Sequence, residues 1–233
     1  MLIHLRAAGT SLVLDARGTA VPAVVHWGTD LGPLDDHALG RLVDLRVPAV
    51  PPSALDVPFR LSLLPTLDDG WSGRPGVSGF VVGPDGSRAP LPAMSLDDVA
   101  ATPSSARFVL IADGGLRVTT DVELTPQGVL RLRHTWANDG DATVEVGSLD
   151  AVLPVPDRAA EVLDLSGTWA HERRPQRRPV ADGVWSRETR HGRPGHDHPY
   201  LVVVGTLAFG FRSGEVWAAH VAWSGDTRHW VER

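Results

Sequence analysis

Hydrophobic and polar residues alternate with a period of two along much of this chain. Six segments of about a strand's length show the pattern clearly: 2–6, 11–17, 106–113, 115–124, 128–138 and 143–153. Successive side chains of a strand point to opposite faces of a sheet, so this period is typical of half-buried β-strands. Most of the segments are flanked by Gly, Pro, Asn or Asp, and the TPQG sequence predicts a hairpin between 117–124 and 129–136. Three further strands with minimal connections are predicted at 200–206, 207–213 and 215–225.

Helical periodicity is limited to two short segments. Residues 35–45 predict a helix that begins at Asp35 or Asp36, and residues 95–101 predict a second. Three long irregular stretches remain, at 47–58, 65–79 and 171–199. Loops of that length inside a compact domain usually carry function or contact a neighbour. The pattern as a whole predicts an all-β fold, a large antiparallel two-sheet β-sandwich with one or two short helices.

Composition and charge narrow the classes of partner. The chain has 233 residues, of which 42% are hydrophobic, and a net charge of −6. The acidic balance argues against nucleic acid as a partner, because neutralising phosphates needs a basic surface. The absence of cysteine excludes disulfides and thiolate metal sites. The N-terminus lacks the apolar core of a signal peptide and no run approaches a membrane span, so we expect a cytoplasmic protein without a membrane partner.

The end of the chain also carries an expectation. The sequence stops at HWVER, after a strand-like run and a Gly-Asp turn. A terminal strand with nothing after it would leave an open sheet edge. We therefore expect the domain to be truncated at its C-terminal end.

Residues 169–233 hold five of the eight tryptophans and six of the ten histidines. His196 and His198 alternate within this region, so both side chains would reach one metal ion if the segment were extended. Histidines between Gly and Pro also pin loops through hydrogen bonds, and this interpretation is favoured over a metal site or a ligand contact. The arginines of 171–179 suit phosphate or carboxylate recognition, but a solvated or salt-bridged loop is favoured there.

The loop at 67–79 is the best candidate for a ligand site. It places Asp68, Asp69, Trp71 and Arg74 on a Gly-rich turn, where backbone can approach a ligand closely. Carbohydrate sites combine an indole platform for the C–H face of a sugar with charged groups that bind its hydroxyls. A surface turn with the tryptophan packed beneath it explains the same residues equally well, so both interpretations stay open.

The chain shows no catalytic machinery of its own. It contains no G-x-S-x-G, no phosphate-binding Walker loop, no G-x-G-x-x-G and no cysteine nucleophile. The sequence has many Asp and Glu residues, but it lacks the alternation of strands and helices that would place a catalytic carboxylate pair at the ends of barrel strands. We predict no catalytic residue, no metal and no cofactor in these 233 residues.

Several segments together resemble a known family. Trp169, His171, Glu172 and Arg173, with 183–200 and 205–225 after them, resemble bacterial α-galactosidases of glycoside hydrolase family 36, in particular the actinobacterial branch. The HWGTDLG sequence at 26–32 is similar to the family as well. A weaker similarity runs from 63–65 into 70–75.

The resemblance implies a non-catalytic N-terminal domain of a larger enzyme. It implies that residues 1–233 form a galactose-mutarotase-like β-supersandwich. In the family this domain is followed by a (β/α)8 barrel that carries the two catalytic aspartates of a retaining mechanism, and that barrel is absent here. This chain alone is then expected to be inactive, while the whole enzyme removes terminal α-galactose from raffinose-type oligosaccharides. Expected partners are an α-galactoside oligosaccharide, the missing barrel and further copies in a homo-oligomer.

The family also implies a role for the 67–79 loop. In tetrameric members the N-terminal domain lends a loop to a neighbour's active site, and 70–75 is its counterpart. Trp71 and Arg74 would then contact sugar, with Asp68 and Asp69 beside them. The sequence departs from the family pattern at Asp68, Asp69 and Ser72. Two alternatives remain, an autonomous carbohydrate-binding sandwich and a stand-alone mutarotase- or lyase-like enzyme that uses histidines as acid and base.

Overall fold

The computed structural model describes residues 1–50, 52–53, 58–198 and 201–233. Strands dominate these ranges, all strand pairs are antiparallel, and one α-helix of ten residues interrupts them. The predicted all-β, antiparallel class is therefore confirmed. The chain divides into two compact units, Met1–Pro154 (unit 1) and Val155–Arg233 (unit 2). That 1–233 forms one domain stays a prediction. Within the described ranges, no helix has the length and apolar character needed to cross a membrane.

The described residues of unit 1 form three antiparallel sheets and the helix. In chain order its elements are β1 (Leu2–Ala7), β2 (Thr10–Asp15), β3 (Ala23–Thr29), α1 (Asp36–Leu45), β4 (Val77–Val82), β5 (Arg88–Pro90), β6 (Ser95–Ala101), β7 (Ser105–Ala112), β8 (Leu116–Leu124), β9 (Leu130–Asn138) and β10 (Thr143–Leu149). The strand orders are β1-β2-β3, β10-β4-β5 and β6-β7-β8-β9. The predicted hairpin joins β8 to β9, where Leu124 pairs with Leu130.

The core of unit 1 follows from the period-two pattern. Alternate residues of β7 and β8 are buried, and their side chains belong to two apolar clusters. The fully buried side chains include Leu5, Leu12, Leu14, Leu63, Leu64, Phe108, Leu110 and Leu124. Helix α1 begins where predicted, because the carboxylate of Asp35 accepts the backbone N–H of Ala38 at 2.7 Å. Leu39 and Val43 are the buried residues of the helix and pack with Val13.

Unit 2, outside residues 199–200, contains one four-stranded sheet and one strand pair. Its strands are β11 (Glu161–Thr168), β12 (His171–Pro179), β13 (Val184–Glu188), β14 (Leu201–Gly205), β15 (Val216–His220) and β16 (Arg228–Glu232). The sheet has the order β12-β11-β14-β15, and β13 pairs with β16. The buried residues include Val162, Val202, Val204, Phe209 and Trp217.

Four local predictions were wrong. Residues 95–101 form β6 rather than a helix, because pairing with β7 outweighs a weak helical pattern. Residues 171–179, expected to be irregular, form β12, and β13 occupies a further part of the 171–199 stretch. The predicted strand at 207–213 is a tight turn closed by a bridge between Gly210 and Ser213. The strand predicted over 215–225 spans only Val216–His220. The first residue of the strand predicted at 200–206 and parts of the 47–58 stretch lie outside the described residues.

Candidate functional site

The candidate loop of unit 1 begins with a single 3-10 turn. The hydroxyl of Thr66 donates to the carboxylate of Asp69 at 2.8 Å, and the turn spans Leu67–Asp69. Gly70 ends the turn with φ +78°, and its N–H donates to the carbonyl of Leu67 at 3.0 Å. A residue with a Cβ rarely adopts this left-handed conformation. The glycine therefore sets the direction in which the chain enters Trp71.

The indole of Trp71 is fixed at two places. Its Nε1–H donates to the carbonyl oxygen of Arg74 at 2.7 Å, which closes the turn between the two residues. Its ring stacks on Phe59, with the centroids 4.7 Å apart and the planes inclined by 29°. Trp71 nevertheless remains half-buried. The loop thus holds an aromatic ring in one orientation, with one of its faces covered by Phe59.

The far end of the loop is closed on the body of unit 1. The N–H of Gly76 donates to the carbonyl of Pro65 at 2.7 Å, and its carbonyl accepts the N–H of Asp150 at 2.7 Å. A Cβ at Gly76 would lie 3.0 Å from Pro65 Cδ and 3.1 Å from Leu64 Cα. Backbone hydrogen bonds therefore hold both ends of the loop.

The four predicted site residues have different surroundings. Trp71 and Arg74 lie together and both are half-buried, whereas Asp68 is exposed. Asp69 is half-buried and binds Thr66, so its carboxylate stabilises the turn. The sequence did not predict the contribution of Phe59. It lies twelve residues before Trp71, and no motif or spacing in the sequence indicates that the two rings stack. A packed tryptophan and a sugar platform are both compatible with this geometry, and the role of these residues stays a prediction.

A small cavity lies beside Phe59. Its volume is about 190 Å³, and its lining includes Val25, Val43, Arg46, Phe59 and Arg60. Pockets that enclose a drug-sized ligand usually have about 300–1,000 Å³. This cavity is too small to enclose an oligosaccharide.

A buried carboxylate lies next to this cavity. Arg60 donates from Nη1 to Asp15 at 2.5 Å, and Arg17 donates from Nε to the same carboxylate at 2.9 Å. Burial by itself would raise the pKa of Asp15, but the hydrogen bonds from Arg17 and the charge of Arg60 hold that pKa below its usual range. Asp15 therefore stays ionised and fixes the arginine that lines the cavity.

The HWGTDLG segment has a structural role centred on Asp30. Its carboxylate accepts two hydrogen bonds from Arg6, at 2.7 and 2.6 Å, one from the hydroxyl of Ser11 at 2.7 Å and one from the N–H of Gly32 at 3.2 Å. The Arg6 hydrogen bond, with Ser11 after it, holds the pKa of this carboxyl well below its usual range. Asp30 thus ties the end of β3 to β1 and β2.

The arginine-rich segment expected to be a solvated or salt-bridged loop is strand β12, and within it Arg177 forms a salt bridge. Arg177 donates to both carboxylate oxygens of Glu161, at 2.9 and 2.7 Å, and its guanidinium lies 4.1 Å from the ring centroid of Phe209. Arg178 lies 5.7 Å from the ring centroid of Trp185. These contacts use the arginines to cover aromatic rings of the same unit.

The two alternating histidines have different environments. His196 is exposed, whereas His198 is 1% exposed and lies edge-on to His229, with ring centroids 5.2 Å apart. In the ranges that the structure describes, no group of three or more His, Cys, Asp or Glu side chains is arranged to hold a metal ion. His198 is thus buried and His196 is not, and loop-pinning by these histidines through hydrogen bonds stays a prediction.

Comparison with known proteins gives one family. The profile of the glycosyl hydrolase family 36 N-terminal domain matches residues 20–233. An α-galactosidase of Escherichia coli is 32% identical over 209 residues, which cover 88% of this chain. The chain spans 28% of the length of that relative.

Solved structures show the same fold. A variant of the GH36 α-galactosidase AgaA from Geobacillus stearothermophilus, in complex with raffinose, has a TM-score of 0.81 at 20% identity, over 100% of this chain and 35% of that one. The α-galactosidase from Lactobacillus brevis has a TM-score of 0.80 at 16% identity, over 99% of this chain and 34% of that one.

Proposed function

Since the chain belongs to the glycosyl hydrolase family 36 N-terminal domain family, we propose that it is the non-catalytic part of a retaining α-galactosidase. The enzyme would hydrolyse terminal α-galactosides of raffinose type. The observation that carries the proposal is the family match over residues 20–233, which includes the complete 67–79 loop. A solved relative with a similar fold is described in complex with raffinose.

In this proposal the 67–79 loop forms one wall of a sugar site. Trp71 offers the C–H face of a galactose an aromatic platform whose orientation is fixed by Phe59 and by the carbonyl of Arg74. The guanidinium of Arg74 binds a sugar hydroxyl next to that platform, and the exposed Asp68 accepts another. Asp69 acts mainly by holding the turn through Thr66.

The proposed partners complete the site. The cavity beside Phe59 is too small to enclose an oligosaccharide, so the other walls would come from the enzyme's own catalytic barrel or from a second copy in a homo-oligomer. The loop would then position substrate and exclude water, which speeds a reaction with strict geometric demands. We place the enzyme in the cytoplasm.

An activity assay tests the catalytic part of the proposal. The 233-residue chain is incubated with an aryl α-galactoside, and no release of the aryl group is expected. Robust turnover by this chain would show that it carries catalytic groups of its own, and the proposal would be wrong. When the chain is joined to the proposed catalytic barrel, the substitution Trp71→Ala should raise KM for raffinose. Trp223→Ala is the control, because Trp223 is an exposed tryptophan of unit 2.

A second function is favoured by the preformed aromatic platform. Trp71 is already held in one orientation by contacts within unit 1, which supports an autonomous carbohydrate-binding module as the second function. Titration of the isolated chain with raffinose separates the two functions. Saturable binding that Trp71→Ala abolishes supports the module, whereas a lack of binding by a folded chain supports the enzyme domain.

A further inference from the structure

The chain contains five Asp-Gly dipeptides, at 69–70, 85–86, 113–114, 139–140 and 182–183. In such a pair the backbone nitrogen of the glycine can attack the side-chain carboxyl of the aspartate, because glycine has no Cβ to hinder the approach and its backbone is permissive. The attack needs a glycine N–H that is free of hydrogen bonds and a carboxyl group that can turn towards it. The five sites differ in how far they satisfy these two conditions.

At four of the sites one or both reacting groups are held. The glycine N–H groups that already donate a hydrogen bond are those of Gly70, to the carbonyl of Leu67 at 3.0 Å, Gly86, to the carbonyl of Gly83 at 2.9 Å, Gly140, to Oδ1 of Asn138 at 3.2 Å, and Gly183, to the carbonyl of Arg233 at 3.0 Å. Three of the carboxylates are bound as well, namely Asp69 by the hydroxyl of Thr66 at 2.8 Å, Asp85 by the N–H of Ser87 at 3.0 Å, and Asp139 by Nη2 of Arg117 at 2.6 Å. These bonds must open before the nitrogen and the carboxyl carbon can join.

The remaining pair, Asp113 and Gly114, lies in the turn between β7 and β8. Ala112 pairs with Leu116 at the base of this turn. Both residues of the pair are exposed, and within the described ranges no group forms a hydrogen bond or an ion pair with the Asp113 carboxylate or the Gly114 N–H. Beyond the adjacent residues, no atom lies within 4 Å of the position that a Cβ on Gly114 would take. Both conditions for the attack are therefore met at this turn.

We propose that Asp113–Gly114 is the site at which this chain is converted to isoaspartate. The nitrogen of Gly114 bonds to Cγ of Asp113, and the hydroxyl of the protonated carboxyl leaves with the N–H proton as water. A water molecule then opens the five-membered imide at one of its two carbonyl carbons. Attack at Cγ restores aspartate, whereas attack at the α-carbonyl carbon breaks the bond from that carbon to the Gly114 nitrogen and leaves the main chain running through Cβ and Cγ. One water is lost and one is gained, so the conversion needs no oxidant or cofactor.

The turn that carries the site is packed closely on the 138–140 turn. The carbonyl of Gly115 accepts the N–H of Asp139 at 2.8 Å, and a Cβ at Gly115 would lie 2.6 Å from the backbone nitrogen of Gly140. An isoaspartate adds one methylene group to the main chain at position 113, which displaces the residues that follow it. The hydrogen bond to Asp139 is then weakened, and the contact between the two turns loosens.

The expected selectivity follows from the bonds that the other sites must break. One net hydrogen bond corresponds to a factor of about 2 to 10 in an equilibrium constant. Asp182 is the internal control, because it is exposed like Asp113 but the N–H of Gly183 is bound. Isoaspartate should accumulate at Asp113 about 2- to 10-fold faster than at Asp182, and about 5- to 100-fold faster than at the three pairs in which both groups are held.

Peptide mapping tests the proposal on the whole chain. The folded 233-residue protein is kept at pH 7 for several weeks and digested. Isoaspartyl peptides are separated by liquid chromatography and identified from their fragment ions, since their mass equals that of the aspartyl peptides. A second sample is kept in guanidinium chloride, where all five pairs should react at similar rates.

A matched variant and a second readout complete the test. Asp113→Glu keeps the charge but requires a six-membered imide, which closes far more slowly, so the modified peptide should disappear. In the aged natural chain, the amide of Asp139 should exchange its hydrogen about 2- to 10-fold faster in modified molecules than in unmodified ones, because its bond to Gly115 is weakened.

Three results would overturn the proposal. Isoaspartate that forms in the folded chain at Asp182 as fast as at Asp113 would show that the hydrogen bond of Gly183 does not protect its site. A lack of conversion at Asp113, over a time in which the unfolded chain is converted there, would show that the turn holds the pair away from the reactive geometry. An unchanged exchange rate at Asp139 in the modified molecules would refute the loosening of the two turns.

Discussion

Replacing Gly70 with alanine should loosen the candidate sugar site without touching any of its side chains. Gly70 has φ +78° and ψ +15° between the 3-10 turn and Trp71. An L-residue with a Cβ pays about 1–2 kcal/mol for that conformation, because its Cβ approaches the next carbonyl oxygen. The variant must either accept this strain or move the backbone of Trp71.

The expected loss of stability is correspondingly specific. Gly70→Ala should lower the free energy of unfolding of unit 1 by about 1–2 kcal/mol, a 5- to 30-fold change in the unfolding equilibrium. Asparagine tolerates the left-handed region better than alanine, so Gly70→Asn should lose less stability despite its larger side chain. The pair of variants separates backbone strain from side-chain bulk.

Urea unfolding followed by circular dichroism measures the loss, and the Nε1–H resonance of Trp71 reports on the loop. In Gly70→Ala this proton should exchange faster, because its bond to the carbonyl of Arg74 depends on the turn. Equal stabilities for the alanine and asparagine variants would refute the reasoning. So would a loss of stability with an unchanged Trp71 resonance, since the strain would then not be transmitted to the ring.

Three further predictions concern stability. Burial lowers the pKa of His134 to about 4 from 6.5. The free energy of unfolding of unit 1 should therefore fall by about 2 kcal/mol between pH 7 and pH 5, because the unfolded chain binds the proton more tightly. Urea midpoints should show this fall in the natural chain and not in His134→Phe. Asp164→Asn leaves Arg187 without its buried carboxylate and should destabilise unit 2 by about 3 kcal/mol in thermal unfolding. Gly79→Ala places a Cβ 2.2 Å from the carbonyl oxygen of Glu145 on the paired strand and should strongly lower the melting temperature. Gly40→Ala is its control: the new Cβ meets open space on helix α1, so the free energy of unfolding should rise by up to about 1 kcal/mol.

Sequence periodicity predicted the strands whose two faces differ. Buried and more exposed residues alternate along most of β7, β8 and β9, since one face of each packs into unit 1, and a hairpin turn separates the last two. β6 was missed because SLDDVAA has acidic residues after a serine, which resembles a helix start, and its pairing with β7 is not visible locally. β12 was missed because an exposed edge strand has no buried face to produce alternation, and its Pro and Arg residues are typical of edges that avoid further pairing.

The sequence predicted the contacts of the candidate site that are local in the chain and missed those between residues far apart in it. Trp71, Arg74 and the Gly-rich turn are contiguous in sequence, so their proximity could be inferred. The stacking of Phe59 on Trp71 and the packing of His198 on His229 join residues that are distant in sequence. No spacing rule connects them, because irregular segments have no fixed repeat. Such contacts decide whether an aromatic or imidazole ring is exposed or buried, and hence what it can bind.

The residues that carry the family resemblance stabilise the fold, whereas two of the three residues that depart from the family pattern are exposed on the loop. Asp30 in the 26–32 segment holds three strands together. A Cβ at Gly214 of the 205–225 segment would lie 2.6 Å from Phe209 Cβ, so this segment is also fixed by packing. Of the three departures in the loop, Asp69 is committed to Thr66, whereas Asp68 and Ser72 are exposed. We therefore expect any difference in substrate preference from other family members to arise from Asp68 and Ser72, since these side chains are available to a ligand and Asp69 is not.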